Sequence, residues 1–286
     1  MGDRIAQPLN LMRVSELYIY PVKSLRGIKV SSAEIDELGI VGDRRYLVVD
    51  EHGQQLTQRP LPKMSLVETE LTADHLILRT PGFGSCVVPR RSENTPELVA
   101  VTVWKSSGLQ ADDCGDEPAA LLTSFLGTKC RLVRIGKDFH RPILNPQRAR
   151  ANDLVSFANG YPFLVTSEAS LQDLNDRLIA NRCAPIPMNR FRPNIVITDC
   201  LAFAEDTWPR VKIGKVVFRA GGPCGRCIVT TTDQITSERG KEPLKTLATF
   251  RRDPKEPGDV NFGQNLIHET KEGRLHVGDV AEALNE

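Results

Sequence analysis

The chain has 286 residues, enough for one large or two ordinary domains around a sizeable core, which excludes a disulfide-stapled miniprotein. Hydrophobic residues make up 40% of it and charged residues 26%, close to the globular average and far from the composition that keeps a chain disordered. Lys and Arg number 37 against 36 Asp and Glu, a formal net charge of +1, so no global field draws the protein to nucleic acid or anionic lipid, and any anion site must be a local cluster.

The first twenty residues carry charges and a proline where an export signal needs about 7 to 15 uninterrupted apolar residues. Met1 and Gly2 open like a myristoylation site, but Ala6 stands where that motif wants Ser or Thr. No apolar run reaches the roughly 18 residues of a membrane span. The cysteines at positions 86, 114, 130, 183, 200, 224 and 227 show no framework of even pairs, which points to reduced thiols. A soluble cytoplasmic protein is expected.

From Val14 to about Val103 short β-branched or apolar runs alternate with turn residues: SELYIYPV, GIKVSSAEI, RRYLVVD, QLTQ, SLVETEL, HLILRT, CVVP and LVAVTVW. This is the pattern of a sheet or barrel. Asp50-Glu51-His52-Gly53 reads as a hairpin turn, because Gly takes positive φ freely. DEPAALLTSFLG predicts a helix with Asp116 as cap and Gly127 at the left-handed C-terminal position. Arg131 to Arg150, with two prolines and no helical period, reads as a crossing segment. SEASLQDLNDRLIA places Leu171, Leu174 and Leu178 on one face of a second helix capped by Ser167. Further strands are expected in NIVITD, RVKIGKVVFRA, CIVTTTD, NLIHET and RLHVGDV. The fold class is β-rich α+β, or barrel-like, in two linked parts.

Cys224-Gly225-Arg226-Cys227, preceded by Gly221-Gly222-Pro223, is the sharpest chemical signal. A thioredoxin-type pair would open a long helix that lowers the thiol pKa, and the β-branched residues after Cys227 argue against one. Structural zinc needs four ligands, reachable here only through scattered residues. A third use is a thiolate bound to a soft metal beside a glycine turn whose N–H groups approach an anion, with Arg226 neutralising part of its charge. Two structural cysteines beside a turn are equally compatible. Tyr20-Pro21-Val22-Lys23-Ser24 turns at a strand end and presents a cation beside a hydroxyl. Gly42-Asp43-Arg44-Arg45-Tyr46 opens a strand in which alternation sends the two arginines to opposite faces. Pro193 forces Arg192 toward extended geometry.

Together YIYPVKSLRG, GDRRYLVVD, VTVWKSSGLQADDCGDEPAALLTSFLG, TSEASLQDLNDRL, RFRPNIVITD, AEDTW, GPCGRCIVTTTD, KEPLKTL and FGQNL resemble, in order and over nearly the whole chain, the MOSC-domain proteins of the amidoxime-reducing type. The resemblance implies an N-terminal MOSC β-barrel domain over residues 12–136 and a MOSC domain over 137–286, with a molybdenum cofactor (Mo-molybdopterin) between them. The family's metal ligand falls on Cys227, which is therefore the expected catalytic residue. Its cofactor contacts fall on Lys23, Ser24, Arg44, Gly160, Tyr161, Arg192, Asn194, Gly225, Arg226 and Asn265, where relatives can carry an aromatic residue at this last position. Cys224 is expected to pack, and Glu205 and Asp206 stand outside the core set.

The implied reaction removes oxygen from N-hydroxylated compounds such as amidoximes, hydroxylamines and N-hydroxylated bases. Electrons must come from a separate donor of the cytochrome b5, ferredoxin or flavin reductase type, because the chain has neither a haem-attachment motif nor a four-cysteine cluster spacing. A persulfide carrier on Cys227 for metal-sulfur cofactor assembly, and a non-catalytic cofactor-storage protein, are the competing readings.

Overall fold

The computed structural model describes residues 11–91, 95–256 and 258–285. The readings made on residues 1–10, the export and myristoylation signals, lie outside the described residues. Strand accounts for 38% and helix for 16% of the molecule, as the β-rich reading expects.

Eight strands form the largest sheet, in the order Ala281–Leu284, Arg210–Ile213, Val216–Gly225, Asn261–His268, Phe163–Ser167, Ile195–Thr198, Arg13–Ile19 and Ile28–Val30. The first described strand, Arg13–Ile19, therefore lies in the sheet that the C-terminal half completes. A second sheet orders Tyr46–Val49, Arg131–Arg134, Ser106–Asp113 and Leu98–Val103, and Glu68–Leu71, His75–Thr80 and Gly84–Pro89 form an antiparallel meander. Ser32–Asp36 pairs with both Gly273–His276 and Gly39–Ile40.

Alternation drives the packing. In Arg13–Ile19 the side chains of Val14, Leu17 and Ile19 join a core with Phe163, Val165, Ile195, Ile197 and Phe218, each such side chain contributing about 1.5 to 3 kcal/mol by its removal from water. A separate core packs Leu122, Phe125 and Leu126 of the first helix, Asp116–Leu126, against Leu76, Leu78 and Val88 of the meander. That helix is capped by Gly115 instead of Asp116, which is its first helical residue and lies in the first turn beside Glu117. An acid suits that place as well, because the helix dipole is positive there. Gly127 closes the helix in the left-handed conformation, φ 72°. The second helix, Glu168–Ala180, starts at Ser167, whose side chain accepts from the Ser170 N–H, and buries Leu174 and Leu178.

Three expected elements differ. QLTQ is no strand but a pair of isolated bridges, Val49 to Gln55 and Gln54 to Thr102, after a turn in which the Asp50 carboxylate accepts from the His52 and Gln54 N–H groups. The supposed crossing segment begins as the strand Arg131–Arg134, whose partner is Tyr46–Val49. CIVTTTD is a 3-10 turn, Ile228–Thr231. There the Thr230 and Thr231 hydroxyls donate back to the Cys227 and Ile228 carbonyls at 3.0 and 2.8 Å, and such local bonds compete with a ladder.

The seam between the large sheet and the smaller one forms where the first strand ends. After Ile19 the chain crosses to the second sheet, with Val22 bridging Tyr46 and the Lys23 N–H donating to the Tyr46 carbonyl at 2.9 Å.

Candidate functional site

A cavity of about 160 Å³, or about 930 Å³ with its open mouth, lies on this seam. Lys23, Ser24, Arg44, Gly160, Tyr161, Arg192, Asn194, Gly225, Arg226, Cys227 and Asn265 all line it. Residues as far apart in sequence as Lys23 and Asn265 are thus brought to one hollow by four structural devices.

The first is the strand Val216–Gly225, whose pairing with Asn261–His268 slips between Ala220 and Gly222 and again between Pro223 and Gly225. Bulges of this kind bend a strand and re-aim its side chains. Here they turn Cys224 and Cys227 toward the cavity, and both thiols are half-buried and unpaired by disulfide. Gly221 packs on Tyr161 so closely that a Cβ there would come 2.7 Å from the ring. Asn265 holds the bulged loop by donating to the Gly222 and Pro223 carbonyls at 3.2 and 3.1 Å.

The second device is the Arg226 guanidinium, which donates to the Phe262 and Phe191 carbonyls and ties the CGRC loop to the neighbouring strand. The third is Asn194, which donates to the Tyr18 carbonyl at 3.3 Å and accepts from the Leu164 N–H at 3.3 Å, locking three strands of the large sheet together. The fourth is a set of left-handed backbone positions. Ser24, Arg44, Trp104 and Arg192 have φ of 67°, 48°, 55° and 56°, values that L residues adopt at a cost of about 1 to 3 kcal/mol and that cluster at functional sites. Arg192 is therefore not extended, as its following proline suggested. The turn Met188–Arg190 runs into it, with the Arg192 N–H donating to the Asn189 carbonyl at 3.3 Å, and tertiary contacts outweigh the local preference. Arg44 and Arg45 precede the strand Tyr46–Val49 instead of opening it. They part because Arg44 turns to Asp43 and the cavity, while Arg45 pairs with Asp36 at 2.6 Å.

Charge sets the character of the hollow. Arg44 pairs with Asp43 and Arg190 with Asp233, but among the described residues no carboxylate lies within ion-pair distance of Lys23, Arg59, Arg141, Arg192 or Arg226. Lys23 is 5% exposed and donates to the Phe157 carbonyl at 2.7 Å and to Asn159 Oδ1 at 2.8 Å. Its pKa sits well below the ordinary lysine value, because of burial first and then the charges of Arg141, Arg44, Arg192 and Arg59. Burial lowers Arg192 to about 10 and Arg141, which supports the cavity wall by donating to the Ser156, Ala158 and Asn159 carbonyls, also to about 10. Burial raises the Tyr161 phenol. Positive charge withdrawn from water without a counterion is costly, and an anion seated among these groups removes the deficit.

Several lining residues escaped the sequence reading. Trp104 donates from its indole N–H to Asn159 Oδ1 at 3.0 Å, the oxygen that also accepts from Lys23. Arg59 stacks on the Trp104 ring at 4.4 Å. Arg190 donates to the Thr230 and Thr231 carbonyls and so fixes the turn after Cys227. Arg190 opens the RFRPN block and Trp104 stands in the VTVWKSSGLQ block without either having been singled out, Arg59 stands in no block, and only the turn signals around Trp104 and in Phe157-Ala158-Asn159-Gly160 mark where a functional loop could lie. Glu205 and Asp206 do not line the cavity: Glu205, fully buried with its pKa raised by that burial, accepts from the Ser170 hydroxyl at 2.8 Å, and Asp206 pairs with Arg251.

Among the described residues no group of three or more His, Cys, Asp or Glu side chains is placed to hold a metal. A zinc site assembled from scattered ligands is thus not found among them.

Comparison with known proteins gives these features a family. Residues 11–129 match the model of the MOSC N-terminal beta barrel domain and residues 152–282 that of the MOSC domain. Mitochondrial amidoxime reducing component 2 of Bos taurus is 41% identical over 280 residues, covering 93% of this chain and 81% of that protein. Mitochondrial amidoxime-reducing component 1 of Homo sapiens is 36% identical, covering 93% of this chain and 81% of its own length. The chain belongs to the amidoxime-reducing MOSC family.

Membership makes it a molybdenum-cofactor-dependent oxidoreductase, and the cavity's chemistry fits that group. An organic ligand carrying phosphate, pterin hydrogen-bonding edges and dithiolene sulfurs finds unpaired cations at Lys23, Arg59 and Arg192 and thiols at Cys224 and Cys227. The metal arrives with sulfur ligands of its own, so a single protein thiolate suffices to anchor it. No helix among the described residues of this MOSC protein is long and apolar enough to cross a membrane.

Proposed function

We propose that this chain reduces N-hydroxylated small molecules, amidoximes, hydroxylamines and N-hydroxylated bases among them, to the parent amines or amidines and water, drawing two electrons and two protons from outside itself. The cofactor, when bound, supplies a metal that accepts one oxygen atom and changes by two electrons. The observation that carries the reading is the lining of one hollow by Cys227 and by four cations with no carboxylate within ion-pair distance among the described residues, Lys23, Arg59, Arg192 and Arg226.

The residues divide the work. Cys227, fixed by the turn that Arg190 clamps, offers the protein thiolate. Lys23, Arg44, Arg59 and Arg192 balance the negative charge of the phosphate-bearing end, and Ser24 adds a hydroxyl beside them. Asn194, Gly225, Arg226 and Asn265 keep the wall in shape through bonds to backbone or close packing. Gly160 and Tyr161 close the wall beside the GGPCG bulge, with Gly221 packed on the Tyr161 ring and Asn145 donating to the Tyr161 hydroxyl at 2.8 Å. Electrons reach such a site from a separate cytochrome b5, ferredoxin or flavin reductase partner.

The test is elemental analysis of purified protein together with benzamidoxime reduction by wild type and Cys227→Ala under an artificial donor. Stoichiometric molybdenum and activity that both collapse in the variant are expected. A metal-free wild type bearing cyanide-labile sulfur would instead make Cys227 a persulfide carrier, and bound molybdenum without turnover would make the chain a store.

A further inference from the structure

Tyr20 does not line the cavity, yet two of the cavity's arginines rest on it. The Cζ atoms of Arg44 and Arg192 lie over its ring, 4.1 and 4.2 Å from the centroid. The ring is 2% exposed and is held at every polar atom: the hydroxyl donates to the Pro193 carbonyl at 3.1 Å, the N–H donates to Asp43 Oδ1 at 2.8 Å, and the carbonyl accepts from the Arg44 N–H at 2.7 Å. Gly27 lets it lie there, since a Cβ at that position would come 2.3 Å from the ring. Asp43 and Pro193, the partners of Tyr20, are the immediate chain neighbours of the two arginines.

The geometry points to Tyr20 as the positioning residue for the cofactor's anionic end, holding Arg44 and Arg192 in place on one aromatic surface before the anion arrives. This rests on the function proposed above. Two guanidiniums at one small hollow repel each other, and among the described residues Arg44 alone of the two has a carboxylate partner, Asp43. The negative face of an aromatic ring attracts both cations without neutralising either, so Arg192, which has no carboxylate within ion-pair distance among the described residues, keeps its charge for a phosphate while Arg44, paired with Asp43, is held beside it. A carboxylate in place of the ring would satisfy Arg192 as Asp43 satisfies Arg44, and would compete with the ligand. Both arginines also hold left-handed backbone conformations, φ 48° and 56°, which persist only where surroundings enforce them. The arginines are further linked by a bond from Arg44 to the Arg192 carbonyl at 3.2 Å, so displacing one side chain disturbs the other.

The test varies ring electrostatics at nearly constant shape. Tyr20→Phe is followed by 4-fluoro- and 3,4,5-trifluorophenylalanine at position 20, each in the holoenzyme, and the rate at which molybdenum leaves the protein during dialysis is measured by elemental analysis. Release should quicken stepwise with fluorination, to about three- to tenfold at the trifluoro ring, with the unfolding temperature unchanged along the series. Tyr20→Phe itself should stay within about twofold of wild type, because the loss of one neutral hydrogen bond is modest. A flat series in a molybdenum-loaded protein would overturn the positioning role alone. A wild type that holds no molybdenum would overturn the functional reading and this inference with it.

Discussion

Lys23 and Asn159 meet across the seam of the molecule, Nζ to Oδ1 at 2.8 Å, and the same oxygen accepts the Trp104 indole N–H at 3.0 Å. A neutral amide thus orients a buried ammonium without discharging it. Replacing it by a carboxylate should separate stability from ligand binding. In Asn159→Asp the new charge pairs with Lys23, so protein prepared without cofactor should unfold at a higher temperature, while molybdenum content should fall about tenfold through competition with the anionic ligand. Calorimetry and elemental analysis of the same preparations check both signs, and a parallel rise in both quantities would refute the assignment of Lys23 to an anion.

Arg192 makes the complementary case. It has no carboxylate partner among the described residues, and burial depresses its pKa to about 10. Arg192→Gln should therefore leave the cofactor-free protein as stable as wild type or more stable by about 1 kcal/mol, yet lower cofactor retention by at least about tenfold. Denaturant midpoints at fixed m-value provide the stability comparison. Marked destabilisation would mean that the stacking on Tyr20 supports the fold itself.

The two cysteines should separate cleanly. Both line the cavity, but Cys227 caps the turn Ile228–Thr231 and its carbonyl accepts from the Thr230 N–H at 3.0 Å, whereas Cys224 lies on the bulged strand with one long contact to the Gly225 carbonyl. Cys227→Ser should reduce molybdenum content and amidoxime turnover by about 100-fold or more, on the scale set by the loss of metal-site contacts. Cys224→Ser should keep molybdenum near wild type, with turnover within about threefold. Equal losses in the two variants would assign the metal to the pair.

Local chemistry was legible where one residue decides the outcome. Ser167 starts a helix because its hydroxyl finds the Ser170 N–H, and Gly127 ends another at φ 72°. The PVKS, GDRR, FRPN and CGRC blocks also carried the positions that meet in the hollow, although through likeness to a family and not through spacing. What depended on distant partners was hidden. Nothing near Arg13–Ile19 signals that it completes a sheet whose strands, Ile28–Val30 apart, all lie from Phe163 onward. Arg59, Trp104 and Asn159 belong to separate turns, and only the folded chain stacks Arg59 on Trp104 and aims the indole at Asn159. The left-handed Arg192 shows the same limit: the proline rule describes an isolated dipeptide, and here the preceding turn overrides it.

Acid should unfold the protein partly through His268, which is remote in role from the cavity. Its ring is fully buried, Nε2 donates to the Asp36 carbonyl at 2.8 Å, Nδ1 has no hydrogen-bond partner among the described residues, and Phe163 packs at 5.1 Å. Burial, aided by the charge of Lys271, lowers its pKa from 6.5 to about 4. Between those values the unfolded chain binds a proton that the folded chain refuses, so stability falls as pH drops through this window and is unaffected by His268 above it. The full difference amounts to about 3 kcal/mol. His268→Gln can keep a donor for the Asp36 carbonyl while removing the titration, and should flatten the loss of unfolding free energy between roughly pH 7 and pH 4.5 by most of that amount. If wild type and variant lose stability in parallel over this range, His268 is not the group responsible; ion-paired carboxylates such as Asp153, held by Arg219 and Lys271, have depressed pKa values and lose their contribution only at lower pH.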